Sequence, residues 1–296
     1  AFFCNSGAEA NEAAMKIARR WGNQAGDARF EILATHGSFH GRTFGTLTAT
    51  GQEKYHQGFL PLLPGIRLVP FDDLEAMRAA LRPETVAIMV EPIQGEGGVR
   101  PPGAGYLQGL RALCDEHRLL LIFDEIQCGM GRTGALFAYE HFDVRPDIVT
   151  LAKALGSGLP IGAMLTTAAI AAVFTPGSHG TTFGGNPVTC AAAVAAVTEL
   201  AKPELLAHVR DTAAHFRARL DALRAQHPMI LEVRGAGLML GAVLDRPGQP
   251  IVERCLQSGL LINCTAERVL RFVPPLVLSR AQVDEGFDIL TRALVP

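Results

Sequence analysis

The sequence predicts an α/β protein whose main sheet is largely parallel, and three observations support this class. Apolar, β-branched segments typical of strands alternate with helical segments along most of the chain. The segment 119–125 (LLLIFDE) is almost continuously apolar, as in a strand buried on both faces of a parallel sheet. Polar loops follow several strands, where α/β proteins place their sites.

The same patterns assign the individual elements in chain order. Strands are predicted at 1–4, 31–35, 66–70, 85–90, 119–125, just before Lys153, and at 161–167, the last of these as an antiparallel or edge strand. Helices are predicted from about residue 7, and at 72–81, 105–117, 188–201 and 203–226. A second, compact α/β region then follows, with strands at 231–234, 238–244, 260–263 and 269–273 and a helix at 279–294.

The length of 296 residues suggests two domains. We expect a large domain at 1–202 and a small C-terminal domain at 203–296, with the long helix 203–226 leading from one to the other. Because the sequence begins inside a predicted strand and without a methionine, we also expect an amino-terminal part to be missing.

Composition excludes several classes of function. The net charge of −2 and the lack of a basic block argue against nucleic-acid binding, and no apolar run is long enough to span a bilayer. The six cysteines are scattered without metal-type spacing, so we expect no metal site and reduced thiols in a cytoplasmic protein. Small molecules are therefore the expected partners, not nucleic acids or membranes.

Lys153 is the first candidate catalytic residue. It is one of only four lysines among 27 basic residues, and it follows a buried strand directly. We expect Lys153 to be buried, because desolvation lowers a lysine pKa and frees the amine to attack a carbonyl group. The alternative is a structural lysine whose stem packs at the strand end while its charge reaches water.

Asp124 ends another predicted strand and should lie at the same sheet edge as Lys153. An apolar strand ending in Asp-Glu could hold magnesium in an NTPase, but that requires a phosphate loop with Gly-Lys, and the chain contains no Gly-Lys pair. The remaining interpretation is a carboxylate that faces a pyridine nitrogen and keeps it protonated.

Other loops carry further candidates. Ser6 and Gly7 begin a helix, where free amides favour an anion, although a plain serine N-cap is the alternative. The loop 36–43 brings two histidines, an aromatic residue and an arginine to a strand end. The loop 91–99 adds two carboxylates, and Arg271, in an apolar strand, must meet an acid or a ligand carboxylate.

Taken together, these motifs resemble, in order and over essentially the whole chain, those of the class III pyridoxal-phosphate aminotransferases. The segments that carry the resemblance are 6–10 (SGAEA), 40–43 (HGRT), 91–96 (EPIQGE), 123–127 (FDEIQ), 152–156 (AKALG), 179–187 (HGTTFGGNP) and 271–275 (RFVPP). The resemblance implies fold type I of these enzymes, with a mainly parallel seven-stranded sheet, a smaller terminal domain and a homodimer whose active sites lie at the subunit interface.

The resemblance also assigns residues to the cofactor, pyridoxal 5′-phosphate. It implies that Lys153 binds the cofactor covalently and moves the proton, that Asp124 pairs with the pyridine nitrogen, that Gln127 lies near the ring hydroxyl and that Phe39 stacks on the ring. The residues it assigns to the phosphate are Ser6, Gly7, Ala8 and, from the neighbouring subunit, Thr182.

For the substrates, the resemblance implies that Arg42 and Arg271 bind carboxylates. Glu96 would pair with Arg271 in one half-reaction and release it in the other, and Glu91 would support the substrate and cofactor region. The chain is most similar to members that transfer the amino group of acetylornithine to 2-oxoglutarate. Succinylornithine, succinyl-diaminopimelate, ornithine and 4-aminobutyrate remain open as donors. A racemase or decarboxylase of the same fold and a non-catalytic truncated chain also remain open.

Overall fold

The computed structural model describes residues 1–24, 26 and 28–295, and the larger of its two sheets has seven strands. They run in the spatial order β1-β7-β6-β5-β4-β2-β3. Neighbours from β3 to β6 are parallel, and only β7 runs antiparallel to both of its neighbours, which confirms the mainly parallel sheet. The strands are β1 (Phe2–Cys4), β2 (Glu31–Thr35), β3 (Ile66–Val69), β4 (Thr85–Val90), β5 (Leu120–Asp124), β6 (Ile148–Leu151) and β7 (Gly162–Thr166).

Helices cover both faces of this sheet. Those in the first part of the chain are α1 (Gly7–Gly22), α2 (Phe44–Ala49), α3 (Leu74–Ala79), α4 (Tyr106–His117) and α5 (Ala168–Ala171). On one face Ile122 of β5 joins a core cluster with Ile17 of α1. On the other face Leu121 and Phe123 join a cluster with Leu110 of α4. Successive β5 side chains thus enter two different cores, which explains the continuous apolar run in the sequence.

A second sheet lies in the C-terminal part of the chain. Its strands pair antiparallel in the order β10-β11-β9-β8. Its core combines the buried side of α7, including Phe216 and Leu220, with Phe272 of the sheet and Phe287 of α9. The elements of this part are α6 (Pro187–Leu200), α7 (Pro203–Gln226), β8 (Ile230–Ala236), β9 (Met239–Leu244), α8 (Gln249–Gln257), β10 (Asn263–Thr265), β11 (Val269–Phe272) and α9 (Arg280–Leu294).

Several predicted elements differ in their bounds from those in the structure by one to three residues, and two of these differences have a clear local cause. The strand expected at 260–263 is β10 instead, because the Leu260 amide bonds the Cys255 carbonyl (2.8 Å) and so completes the C-terminal end of α8. The helix expected at 72–81 begins at Leu74, because Asp73 caps it by accepting a hydrogen bond from the Ala76 amide.

The two sheets lie on either side of α6 and α7 in sequence, and the domain boundary at 202/203 stays a prediction. No helix in the described part of the chain combines the length and apolar character needed to cross a bilayer.

Candidate active site

The carboxyl ends of β5 and β6 bring Asp124 and Lys153 to one edge of the larger sheet. The two strands are parallel neighbours, with Asp124 paired to Thr150, three residues before Lys153. A cavity of about 720 Å³ opens at this edge, lined by residues 5–8, 39–42, 126–127, 152–153 and 158–161. This volume falls within the roughly 300–1,000 Å³ of small-molecule sites.

Lys153 lines this cavity and is exposed in the isolated chain, so the expectation that its side chain is buried is wrong. The cavity walls nevertheless displace water around the amine. This desolvation lowers the Lys153 pKa, against the opposing effect of the Asp124, Glu91 and Glu96 carboxylates. The backbone of Lys153 has φ 46°, in the left-handed region that lysine seldom adopts, at the start of a 3₁₀ turn.

Asp124 is buried behind the cavity wall and accepts three hydrogen bonds. Its Oδ2 accepts from His40 Nδ1 (2.8 Å) and from Asn11 Nδ2 (2.7 Å), and its Oδ1 accepts from the Ile126 amide (3.0 Å). His40 and Ile126 both line the cavity, so Asp124 lies directly behind its surface.

The amino-terminal end of α1 forms another part of the wall. Ser6 is an N-cap, since its Oγ accepts a hydrogen bond from the Glu9 amide (3.2 Å), and its role at an anion site stays a prediction. The amides of Gly7 and Ala8 belong to the first helical turn, where backbone donors have no intrahelical partner. Those donors and the helix dipole make this end suited to an anion such as a phosphate.

Two glycines let the segments of this wall pack closely against each other. A Cβ on Gly7 would lie 2.7 Å from Ile126 Cδ1, and a Cβ on Gly41 would lie 2.9 Å from that of Ala8. Gly41 also has φ 136°, a backbone conformation that residues other than glycine rarely adopt. The helix end, the loop 39–42 and the strand ends can therefore approach closely around a ligand.

Phe39 and Arg42 lie on the same loop at the cavity mouth. The Phe39 ring meets Tyr55 edge-on, with centroids 5.5 Å apart. The Arg42 guanidinium carbon is 5.1 Å from the Tyr55 ring centroid and 5.9 Å from that of Phe39, distances typical of cation–π contacts. Among the described residues no acidic side chain pairs with Arg42, so its charge is open to a ligand carboxylate.

Arg271 reaches the site from β11 of the second sheet and meets Glu96. Arg271 Nη1 donates to Glu96 Oε1 (2.7 Å) and to Gln127 Oε1 (3.2 Å), while its Nε donates to Asn263 Oδ1 (3.2 Å). The structure thus brings together the two residues whose pairing the sequence suggests. Gln127 lines the cavity and connects this ion pair to it.

Glu91 is only 2 % exposed and does not line the cavity. Its two oxygens accept from the amides of Phe39 (2.9 Å) and Gly95 (3.0 Å). Burial raises the Glu91 pKa to about 7, against the lowering effect of His40. Glu91 therefore joins two site loops, and this geometry supports a positioning role more than contact with a substrate.

Thr182 does not line the Lys153 cavity. It is exposed and lines a neighbouring cavity of about 350 Å³ together with Glu9, Glu12 and His179, and Asn5 lines both cavities. This position is compatible with a role in a neighbouring subunit, but within a single chain Thr182 is not part of the site.

A third cavity, of about 450 Å³, lies in the C-terminal part and has almost entirely apolar walls that include Leu261, Phe272 and Phe287. Of the described residues that line it, Arg271 alone is ionisable. These walls offer neither a nucleophile nor an acid, so the chemistry belongs at the edge of the larger sheet.

The sequence did not indicate the roles of three residues near Asp124. These are Asn11, Thr150 and His40, and the His40 side chain bonds Asp124 directly. All three are buried and hydrogen-bonded in the structure. Asn11 was detectable, because it is polar yet lies beside alanines in a helix whose apolar spacing marks that face as core.

Comparison with known proteins identifies the family. A family model described as aminotransferase class-III matches residues 1–294, and the chain belongs to this family of pyridoxal-phosphate enzymes. The acetylornithine aminotransferase of Caldanaerobacter subterraneus is 50% identical over 295 residues, which are 99% of this chain and 75% of that protein. The chain thus spans about three-quarters of the length of this relative.

Solved structures agree with this assignment. The N-acetylornithine aminotransferase of Stenotrophomonas maltophilia is 42% identical with a TM-score of 0.84, over 99% of this chain and 73% of that one. The ornithine aminotransferase of Toxoplasma gondii is 38% identical with a TM-score of 0.94, over 99% and 72%. The fold is therefore that of fold type I pyridoxal-phosphate enzymes, as the motifs suggested.

The cavity also fits the cofactor on its own geometry. It combines unpaired helix amides at residues 7 and 8 for a phosphate, an aromatic side chain at Phe39, a buried carboxylate behind the wall at Asp124 and an amine of lowered pKa at Lys153. Gly7 and Gly41 let the segments around the cavity pack closely, because a Cβ on either residue would collide with a neighbouring side chain.

Proposed function

We propose that this protein transfers the amino group of N2-acetylornithine to 2-oxoglutarate, giving N-acetylglutamate 5-semialdehyde and glutamate, as a step of arginine biosynthesis. The observation that carries the proposal is the Lys153 amine in a cavity backed by Asp124 and flanked by the Arg271–Glu96 pair. The names of relatives about 50% identical to this chain support the choice of substrate.

When bound, pyridoxal phosphate serves as an electron sink that stabilises negative charge on the substrate carbon. In our proposal the amides of Gly7 and Ala8, with the Ser6 hydroxyl, hold its phosphate. Asp124 would pair with the ring nitrogen, and Phe39 would cover one face of the ring. Lys153 Nζ would hold the cofactor at rest and would then move the proton that leaves the substrate carbon.

The two substrates differ where they meet Arg271. Acetylornithine presents a terminal amine to the reacting position, so its single carboxylate is bound elsewhere, by Arg42 in our proposal. Glutamate and 2-oxoglutarate present an α-carbon and carry a second carboxylate. Arg271 would bind one of their carboxylates after leaving Glu96, whereas the Arg271–Glu96 pair stays closed when acetylornithine is bound. An adjustable ion pair lets one site orient two differently charged substrates.

We further propose a homodimer in the cytoplasm. Phe183, Val188 and Val194 leave large apolar surfaces exposed on and just before α6, and such patches mark interaction sites. Thr182 lies on the same segment, so a second copy placed over α6 could receive Thr182 at its cofactor phosphate. The scattered cysteines support a reducing compartment.

The test is a set of half-reactions followed in the visible spectrum of the cofactor-loaded chain. We expect N2-acetylornithine to react faster than ornithine, succinylornithine or 4-aminobutyrate, and 2-oxoglutarate to reverse the spectral change. Lys153→Ala should lose transamination by about 10³-fold or more, and Lys202→Ala, on the surface of the C-terminal part, should retain it. Faster reaction with ornithine would instead indicate ornithine aminotransferase activity, which is the activity named for the Toxoplasma gondii neighbour.

A further inference from the structure

Two hydrogen bonds through Asn11 link the strand before Lys153 to Asp124, and a third joins Asn11 to the backbone of His40. Thr150 Oγ1 donates to Asn11 Oδ1 (2.7 Å), and Asn11 Nδ2 donates to Asp124 Oδ2 (2.7 Å) and to the His40 carbonyl (2.7 Å). Asn11 and Thr150 are fully buried, and Asp124 is almost so. Asn11 thus connects α1, the loop that carries Phe39, β5 and β6.

The partners of Asn11 fix the orientation of its amide. Both Asp124 Oδ2 and the His40 carbonyl are acceptors, so the NH₂ group must face them and the carbonyl oxygen must face Thr150. Among the described residues, the Thr150 hydroxyl is the one side-chain donor to that oxygen. In a dry interior each bond polarises the next, so the hydroxyl strengthens the donor that Asn11 presents to the carboxylate.

The same network gives the two oxygens of Asp124 different hydrogen-bond partners. Oδ2 receives both Asn11 Nδ2 and His40 Nδ1, which occupies its two lone pairs. Oδ1 receives the Ile126 amide and keeps one acceptor position. Oδ1 is therefore the oxygen able to accept a hydrogen bond from a protonated ring nitrogen.

We propose that Asn11, oriented by the Thr150 hydroxyl, is a positioning residue that holds Asp124 with Oδ1 presented to the ring nitrogen of the cofactor. This inference rests on the proposed use of pyridoxal phosphate at this site, but not on the identity of the amine donor. Neither Asn11 nor Thr150 lines the cavity, so both act through Asp124.

The experiment compares Thr150→Val, Thr150→Ser and Asn11→Leu with the unaltered chain. Valine keeps the shape of threonine and removes the donor, whereas serine keeps the donor. We expect Thr150→Val and Asn11→Leu to raise the Kd of pyridoxal phosphate about tenfold, the loss expected for a hydrogen bond near a charged group. The pH at which the visible spectrum of the bound cofactor changes should shift as well. Thr150→Ser should keep the Kd of pyridoxal phosphate and the pH of the spectral change close to those of the unaltered chain.

Thr212→Val is the matched control, because Thr212 is equally buried but lies on α7 and contacts His208 and the Leu278 carbonyl. It should lower thermal stability without changing the Kd or the spectrum. If Thr150→Val and Asn11→Leu fold and behave like Thr212→Val, the inference is wrong. If Thr150→Val does not fold, Asn11→Leu and Thr150→Ser decide by the same two measurements. Failure of acetylornithine to react would overturn the substrate assignment and leave this inference standing.

Discussion

At the scale of single residues, the site depends on charges that lack a permanent partner. Arg42 has aromatic neighbours but no acid among the described residues, and Arg271 has an acid that is itself partly exposed. A ligand carboxylate can therefore compete for either guanidinium at moderate cost.

Glu96→Gln tests the adjustable ion pair. Removing the negative charge leaves Arg271 free to bind a ligand carboxylate, so we expect the KM for 2-oxoglutarate to fall while the acetylornithine half-reaction becomes slower. The ratio of the two kcat/KM values should move about tenfold toward glutamate and 2-oxoglutarate. Arg271→Lys should move it in the opposite direction, and an unchanged ratio in both variants would remove the pair from substrate selection.

The raised pKa of Glu91 leads us to expect that the stability of the folded chain depends on pH. Its pKa rises from 4.5 to about 7 on folding, so between these values the folded chain holds a proton that the unfolded chain has lost. The free energy of unfolding should therefore decrease as the pH rises through this window, and the loss is complete above about pH 7. The full effect is about 3 kcal/mol.

Glu91→Gln removes this titration. Urea unfolding is measured from about pH 5 to about pH 8. The free energy of unfolding should depend less on pH in Glu91→Gln than in the unaltered chain. Glu125, whose pKa burial also raises to about 7, remains in both proteins and does not affect the difference. Parallel curves for the two proteins would show that Glu91 is not buried as described.

At the scale of secondary-structure elements, the end of α1 serves two purposes. The Ser6 side chain caps the helix, and the amides behind it face the cavity. The first purpose concerns stability and the second concerns an anion, so a suitable pair of substitutions can separate them.

Ser6→Ala removes the cap and should lower the free energy of unfolding of the cofactor-free chain by about 1 kcal/mol. Ser6→Asp keeps a capping oxygen but brings a negative charge to the anion position. We expect Ser6→Asp to retain most of the stability and to lose cofactor affinity, measured by titration with pyridoxal phosphate. If both variants bind the cofactor like the unaltered chain, the phosphate does not lie at this end of α1.

At the scale of the whole molecule, the exposed apolar surface of α6 predicts self-association. Sedimentation should give about twice the 31.6 kDa of one chain. Val194→Glu, which puts a charge on α6, should yield the monomer and weaken cofactor binding if Thr182 contributes from the partner. Leu256→Glu, at a similarly exposed apolar residue on α8, is the control and should remain associated. A monomer in the unaltered protein would contradict the proposal.

The sequence was sufficient for the class of fold and for expecting several candidate residues at one edge of the larger sheet. The apolar run of β5 reflects two cores that lie on either side of one strand, and that pattern is visible in the order of residues alone. Candidates at strand ends, such as Lys153 and Asp124, could be grouped in advance because parallel strands end at one edge.

Only the tertiary structure decided how these residues are partnered and exposed. Lys153 follows a buried strand but opens into a cavity, which depends on how distant loops leave space around it. Asn11 meets Asp124 across 113 residues of chain and Thr150 across 139, and Arg271 reaches Glu96 from another sheet. Periodicity along a chain reports which side of an element is buried, whereas hydrogen-bond partners depend on distances between elements that no local pattern encodes.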